Sequence, residues 1–273
     1  MTIPSVPTAD PAPIQLLGTR AHPLTVQQWN EVVARSIEAG RRTVVLSLNL
    51  HALYLLGREP RLMAAHRGAE YVRIDGMPVV GLARLLGASV RREHRVTWLD
   101  WIHPLLTLAE QRRWSVFYLG SEAAVLARGA ARLGERYPRL RLATHHGHFS
   151  MDRDGAENGA VIRRINAFEP DILLVGMGMP RQEIWVHENA GRLSATVILT
   201  AGACMDYIAG AVPTPPRWLG SVGLEWAYRL VTNPRRLAAR YLLEPWALAP
   251  RIVRAVLRAR VRWPPRERAR EQV

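Results

Sequence analysis

DILLVGMGMPRQEIW, residues 171–185, is the stretch whose reading decides the fold. Its run of aliphatic residues from Ile172 to Val175 is too short for a helix and carries no polar face, as expected of a strand covered on both sides in a parallel sheet. Gly176-Met177-Gly178 then turns the chain, and Pro180 suits the first position of a helix, where its fixed φ and missing N–H are tolerated. Glycines let a backbone come close to a ligand, and the free N–H groups of a helix start favour a phosphate. The third glycine of a dinucleotide fingerprint is absent, so this Gly-x-Gly reads equally well as a tight strand-to-helix turn. Gln182 and Glu183 in the first helical turn aim two polar groups toward the same strand ends.

The same alternation extends outward in both directions. Strands are predicted at residues 43–49, 70–75, 114–120, 140–146, 171–178 and 195–203, with striped helical segments such as AAVLARGAARLGERY and AVIRRINAF between them. Stacked βαβ units of this kind predict an α/β fold: a Rossmann-like, mostly parallel sheet with helices on both faces, here followed by a basic helical C-terminal appendage. The strands end in Asn49, Asp75-Gly76, Gly120-Ser121 and Gly176-Met-Gly178, which an open parallel sheet gathers into one crevice. Asp75 precedes Gly76 and the helical segment MPVVGLARLLG. A carboxylate there can act as general base toward a substrate hydroxyl, but composition alone favours the plainer role of helix N-cap.

The 273 residues carry 37 Lys+Arg against 23 Asp+Glu, a net charge of +14, and every one of the cations is arginine. Absence of lysine excludes a lysine Schiff-base enzyme and a P-loop NTPase. The charge points to polyanionic partners: nucleic acid, anionic lipid or phosphorylated substrates. A single cysteine, Cys204, excludes a disulfide framework and a cysteine-based zinc cluster, and reads as a small buried residue. The first 13 residues lack the cationic and apolar regions of a signal peptide and read as a flexible tail. No segment has the roughly 18 apolar residues of a spanning helix.

Composition changes after residue 212, where Pro213, Pro215 and Pro216 break the pattern. From there on the chain holds 13 Arg and 4 Glu, which leaves +9 of the +14 in that segment and +5 before it. The expected division is a tail at 1–13, an α/β catalytic domain at 14–212 and a basic amphipathic membrane-targeting appendage at 213–273. In PRIVRAVLRARVRW (250–263), Arg251, Arg254 and Arg258 share one helical face, Ile252, Val253, Val256 and Leu257 another, and Trp246 and Trp263 flank them. That pattern fits an interfacial helix on anionic lipid, and equally an amphipathic helix packed on the core. Asp152-Arg-Asp154 spells the DxD of metal-dependent transferases and His145, His146 and His148 are ligands by type, but solvated loop residues explain both more simply.

These segments together resemble the WecG/TagA/CpsF family of bacterial glycosyltransferases, glycosyltransferase family 26, from about Ser47 to Leu243. SLNLHAL, IDGMPVV, FYLGS, ERYPRL and GHF follow the family's order. PDILLVGMGMPRQEIW and GLEWAYRLVTNPRRLAARYL resemble its two longest and most specific blocks. The resemblance implies an inverting, metal-independent hexosyltransferase that moves a sugar from a UDP-sugar to a polyprenyl-diphosphate-linked saccharide, in exopolysaccharide or cell-envelope polymer synthesis. It implies a cytoplasmic protein, peripheral on the inner face of the bacterial plasma membrane and able to form a homo-oligomer, with no nucleic acid partner. The alternative from another class is a basic nucleotide- or RNA-binding α/β module without transferase activity.

By position, Asp75 resembles the family's general base and Gln182 a residue beside the reacting sugar. Ser47, Asn49, Gly176 and Gly178 resemble the donor pocket, to which Arg95, Gly120, Glu183 and Asp206 are added as substrate contacts. Arg229, Arg236 and Arg240 resemble the arginines that the family folds over its site, and a planar guanidinium suits a diphosphate. No metal or other cofactor is expected. Ile74, Trp98, Thr214, Ser47 and Arg181 depart from the family pattern, and Trp98, which stands where a glycine is usual, would narrow or reshape the donor pocket.

Overall fold

The computed structural model describes residues 11–216, 218–219 and 224–262, leaving outside the description the side chains of Arg236 and of residues 259–262. The predictions for residues 1–10, Trp263 and the charged tail therefore lie outside the described residues.

A hairpin of β1 (Ile14–Leu16) and β2 (Thr19–Ala21) opens the chain, an element the sequence reading did not anticipate. Six strands follow: β3 (Thr43–Leu48), β4 (Tyr71–Ile74), β5 (Ser115–Gly120), β6 (Arg141–His145), β7 (Ile172–Gly176) and β8 (Val197–Thr200). Each lies inside a predicted range. They form one sheet in the order β4-β3-β8-β7-β5-β6, with every pairing parallel. All five residues of β7 are buried, as its unbroken aliphatic run requires.

Helices cover both faces. On one side lie α1 (Val26–Glu38), α5 (Trp98–Arg112), α6 (Ala123–Arg136) and the short α9 (Cys204–Ile208). In α1 a capping box between Thr25 and Gln28 starts the helix, and Trp29, Val32, Val33 and Ser36 form the buried stripe. On the other side α7 (Ala156–Phe168) and α8 (Arg181–Asn189) bury Val161, Ile162, Ile165, Trp185 and Val186 against Phe117, Leu119, Leu173 and Val175. At the β4 edge, α2 (Leu50–Leu55), α3 (Pro60–Gly68) and α4 (Met77–Leu85) complete the layer with the hairpin.

After α9 the chain leaves the sheet. Helices α10 (Glu225–Thr232) and α11 (Pro234–Ala238), a π-helical turn (Ala239–Leu243) and the long α12 (Glu244–Arg262) make a C-terminal arm that returns to α2. Leu248 of α12 is fully buried in the α2/α4 cluster and Ile252 packs beside it. That much of α12 follows the core-packed reading, while Val253 and Leu257 remain exposed. No helix among the described residues is long and apolar enough to cross a membrane.

Candidate active site

A cavity of about 340 Å³ opens beyond the carboxyl ends of β3, β4, β7 and β8, and the arm closes it from above. Ser47, Asn49, Asp75, Trp98, Gly178 and Gln182 line its body side, and Arg229 and Arg240 its arm side. A smaller space of about 90 Å³ adjoins it, sharing Asn49, Asp75, Arg229 and Arg240 and adding Arg95 and Glu225. Of the strand-end residues singled out in the sequence, Asn49, Asp75 and Gly178 meet here, while Gly120, Ser121 and Gly176 do not line this cavity, so the single crevice expected of them is divided.

Asp75 is the telling case. The residue that caps α4 is Gly76, at φ 131° and with no side-chain cap bond, so the N-cap role expected for Asp75 is overturned. A glycine takes that left-handed conformation without a Cβ penalty. Asp75 is held only through its backbone, whose N–H donates to the Leu48 carbonyl over 2.8 Å. Its carboxylate makes no hydrogen bond or ion pair among the described residues and faces both cavities.

Gln182 is locked. Its Oε1 accepts from the Gly178 N–H at 3.2 Å and the Gly202 N–H at 3.1 Å, tying the ends of β7 and β8 together. Its Nε2 donates to Glu183 Oε1 at 2.7 Å. Glu183 is fully buried behind it and lines no part of the cavity, which corrects its assignment as a substrate contact: its place is to hold Gln182. Burial pushes the Glu183 carboxyl up to about 7 against the opposing hydrogen bond from Gln182, and its Oε2 has no hydrogen-bond partner among the described residues. Pro180 caps α8 instead of opening it, so the helix starts at Arg181, one residue later than expected, and the Met179–Pro180 peptide is cis.

The glycines divide into two kinds. A Cβ on Gly120 would fall 2.2 Å from the Gly176 carbonyl oxygen, and one on Gly176 would fall 2.0 Å from the Tyr118 hydroxyl. These two serve the close approach of neighbouring strand ends, and the expected role of Gly120 in holding substrate gives way to packing. Gly178, at φ 80° with open space around it, serves the turn itself and lines the cavity. Asn49 caps α2 through Oδ1, which accepts from Ala52 N–H at 3.0 Å, and leaves its amide nitrogen for the cavity.

The cations are placed by acidic neighbours. Arg95 is paired with Asp100 at 3.3 Å and with Glu225 of the arm at 3.1 Å, so it tethers the arm as well as facing the smaller cavity. Burial opposes the charge of Arg229, but Tyr207, Asp75, Tyr241 and Glu225 more than offset it and raise its pKa. His51 holds Glu244 at 2.7 Å across the α2–arm seam, and burial lowers its pKa despite that partner. Arg236 belongs to α11, and its side chain lies outside the described residues.

Two residues that matter here escaped the sequence reading. Arg73 is fully buried in β4, donating to the Val96 carbonyl and, at 2.7 Å, to Ser47 Oγ. Burial pulls its pKa below the ordinary arginine value, with Asp75 and Asp100 working the other way. One local signal marks it, a charged residue inside an otherwise apolar strand two positions before Asp75. Glu225 gives no such signal outside the closing block.

A second cavity of about 340 Å³ lies beside the first, sharing Gly178, Gly202 and Ala203 and reaching Ser121, Gly147, Gly176, Arg181 and Asp206. It sits where the chain leaves β5 toward β6 on one side and β7 toward β8 on the other, the switch point at which open sheets bind ligands. Asp206 and Gly176 belong to this second cavity. Asp152 and Asp154 are exposed on a loop, and among the described residues no three His, Cys, Asp or Glu side chains form a metal-binding group.

The model of the Glycosyl transferase WecG/TagA/CpsF family matches residues 14–262. Staphylococcus aureus proteins named N-acetylglucosaminyldiphosphoundecaprenol N-acetyl-beta-D-mannosaminyltransferase, from strains NCTC 8325 and MRSA252, are 30% identical over 169 residues. The match covers 62% of this chain, and the chain spans 64% of the length of these relatives.

Proposed function

Because the chain belongs to the WecG/TagA/CpsF family of glycosyltransferases, we propose that it moves a sugar from a UDP-sugar to a polyprenyl-diphosphate-linked saccharide in cell-envelope polymer synthesis. The observation that carries this reading is the Asp75 carboxylate, without a hydrogen bond or ion pair among the described residues, in a cavity whose other wall is Arg229 and Arg240. The relatives' name, an N-acetylglucosaminyldiphosphoundecaprenol N-acetyl-beta-D-mannosaminyltransferase, supports the acceptor class.

Asp75 takes the proton from the acceptor hydroxyl as that oxygen forms a bond to the anomeric carbon, while the bond from that carbon to the UDP oxygen breaks. A single displacement of this kind inverts the anomeric configuration. The leaving diphosphate gathers negative charge, which Arg229 and Arg240 stabilise from the arm without a metal. The nucleotide end of the donor occupies the switch-point cavity by Asp206 and Arg181, and its sugar crosses the Gly178–Gly202 seam toward Asp75. Gln182, its amide oriented by Glu183, offers its remaining Nε2–H to that sugar. The arm's arginines and exposed tryptophans bring the protein to the anionic inner face of the membrane, where the acceptor resides.

Purified protein given UDP-sugars and a lipid-diphosphate-linked saccharide is expected to release UDP. Asp75→Asn should slow release by about 10²- to 10⁴-fold, the usual contribution of a general base, with UDP affinity preserved. An unchanged rate in that variant would remove Asp75 from the mechanism.

A further inference from the structure

Behind the reaction cavity lies a third space of about 220 Å³, lined by Ile102, Ile208 and Thr214 among others. Trp98, Leu99, Cys204 and Tyr207 belong to the walls of both. Trp98 is the largest of the four, 8% exposed, and it is fixed from three directions. Its Nε1–H donates to the Thr200 carbonyl at 2.8 Å. Its ring stacks on Trp101 with centroids 5.1 Å apart and planes at 17°. The buried Arg73 guanidinium lies 5.2 Å from its ring centroid. The backbone beneath is also fixed, because Thr97 caps α5 and its N–H and hydroxyl both donate to Asp100, at 3.1 and 2.6 Å. A ring held by a hydrogen bond, an aromatic stack and a cation cannot swing aside as a ligand arrives.

We propose that Trp98 is a specificity-determining residue of this chain, a rigid partition that shuts the third space off from the sugar beside Asp75. On this assignment the partition rejects donors whose 2-amino group carries an acyl chain long enough to meet the indole. This assignment rests on the UDP-sugar reading above. It adds a limit on the sugar that neither the fold nor the base imposes.

The test is binding and turnover of a graded donor series, UDP-N-acetyl-, UDP-N-propanoyl- and UDP-N-butanoyl-glucosamine, with wild-type protein, Trp98→Ala, Trp98→Leu and Trp98→Phe. Wild type should lose affinity at each added methylene. In Trp98→Ala the propanoyl-to-acetyl ratio should rise by about tenfold or more, the value of one methylene that finds an apolar pocket, and the butanoyl-to-acetyl ratio by at least as much. Affinity for UDP alone, read by calorimetry, should change by less than about threefold, because the nucleotide lies in the other cavity. Trp98→Leu makes the same comparison with a bulkier apolar side chain should Trp98→Ala fail to fold, and Trp98→Phe, which keeps the stack, should give an intermediate ratio. An unchanged ratio in Trp98→Ala or Trp98→Leu, with donors bound by wild type, overturns the partition alone. Failure of wild type to bind UDP or any donor overturns the UDP-sugar reading and this assignment with it.

Discussion

The sheet-bearing body and the C-terminal arm put their apolar side chains in opposite places. Strand β7 and helices α1, α5 and α8 bury Trp29, Trp101, Leu174 and Trp185 at 2% exposure or less. Among the described residues, the strongly exposed large apolar side chains are Leu85 and a series in the arm segment from Trp218 to Leu257, with Val231 at 80% and Trp246 at 78%. The arm keeps its place by a short set of directional contacts. Glu225 meets Arg95, Glu244 meets His51, and Arg251 donates to the Leu53 and Leu17 carbonyls at 3.0 and 3.1 Å, with Leu248 as a fully buried anchor. Polar contacts of this kind contribute about 1 kcal/mol each, whereas the body's cohesion is the sum of many buried side chains. The body therefore presents Asp75 and Gln182 on a rigid base, and the arm brings Arg229 and Arg240 to it through contacts that a ligand or a surface can outcompete.

The sharpest way to break this contrast is by truncation in each region. Leu174→Ala, in the centre of the sheet, should cost about 2–5 kcal/mol in urea unfolding, and Leu257→Ala, on the open face of α12, less than about 0.5 kcal/mol. Equal costs would mean that the arm is part of the core. A second measure uses acid. His66 of α3 is 1% exposed, its Nε2 has no hydrogen-bond partner among the described residues, and burial lowers its pKa from 6.5 to about 4. The unfolded chain thus takes the proton first, so this contribution is complete above pH 6.5 and is lost as pH falls from 6.5 toward 4. The loss amounts to about 3 kcal/mol at the low end. His66→Leu should flatten that part of the stability profile; an unaltered profile would show that another group controls it.

The smallest effect belongs to the arm. Arg251→Ala removes two carbonyl contacts and should speed protease cleavage within α12 by about tenfold, the equivalent of 1–2 kcal/mol, while the unfolding midpoint of the body stays put. The seam should also loosen below pH 6.5 in the native protein, because a lowered His51 pKa means that the undocked imidazole binds the proton more readily. Cleavage that is insensitive to both changes would place the arm's anchorage elsewhere.

Much of the body was legible because its information is local. The run from Ile172 to Val175 and the glycines after it specify strand and turn wherever they occur, and a parallel topology then brings Asn49, Asp75, Gly178 and Gln182 to one end. The hairpin at Ile14–Ala21 was missed because strands of three residues are too short to show a period. Glu183 and Gly120 were misplaced for a different reason. Their residue types suit a ligand, and only the neighbours show Glu183 buried behind Gln182 and Gly120 pressed against Gly176.

The sequence by itself determined the sheet, the order in which its segments are met and the identity of the polar residues at the strand ends, since alternation and turn chemistry act over a few residues. Tertiary structure alone decided which of those groups are free. Gly76 took the cap and left Asp75 open, Glu225 reached back 130 residues to Arg95, and Arg73 and Trp101 fixed Trp98 between two cavities. A side chain's partner depends on what the fold carries to within hydrogen-bonding reach, and no local pattern encodes that distance.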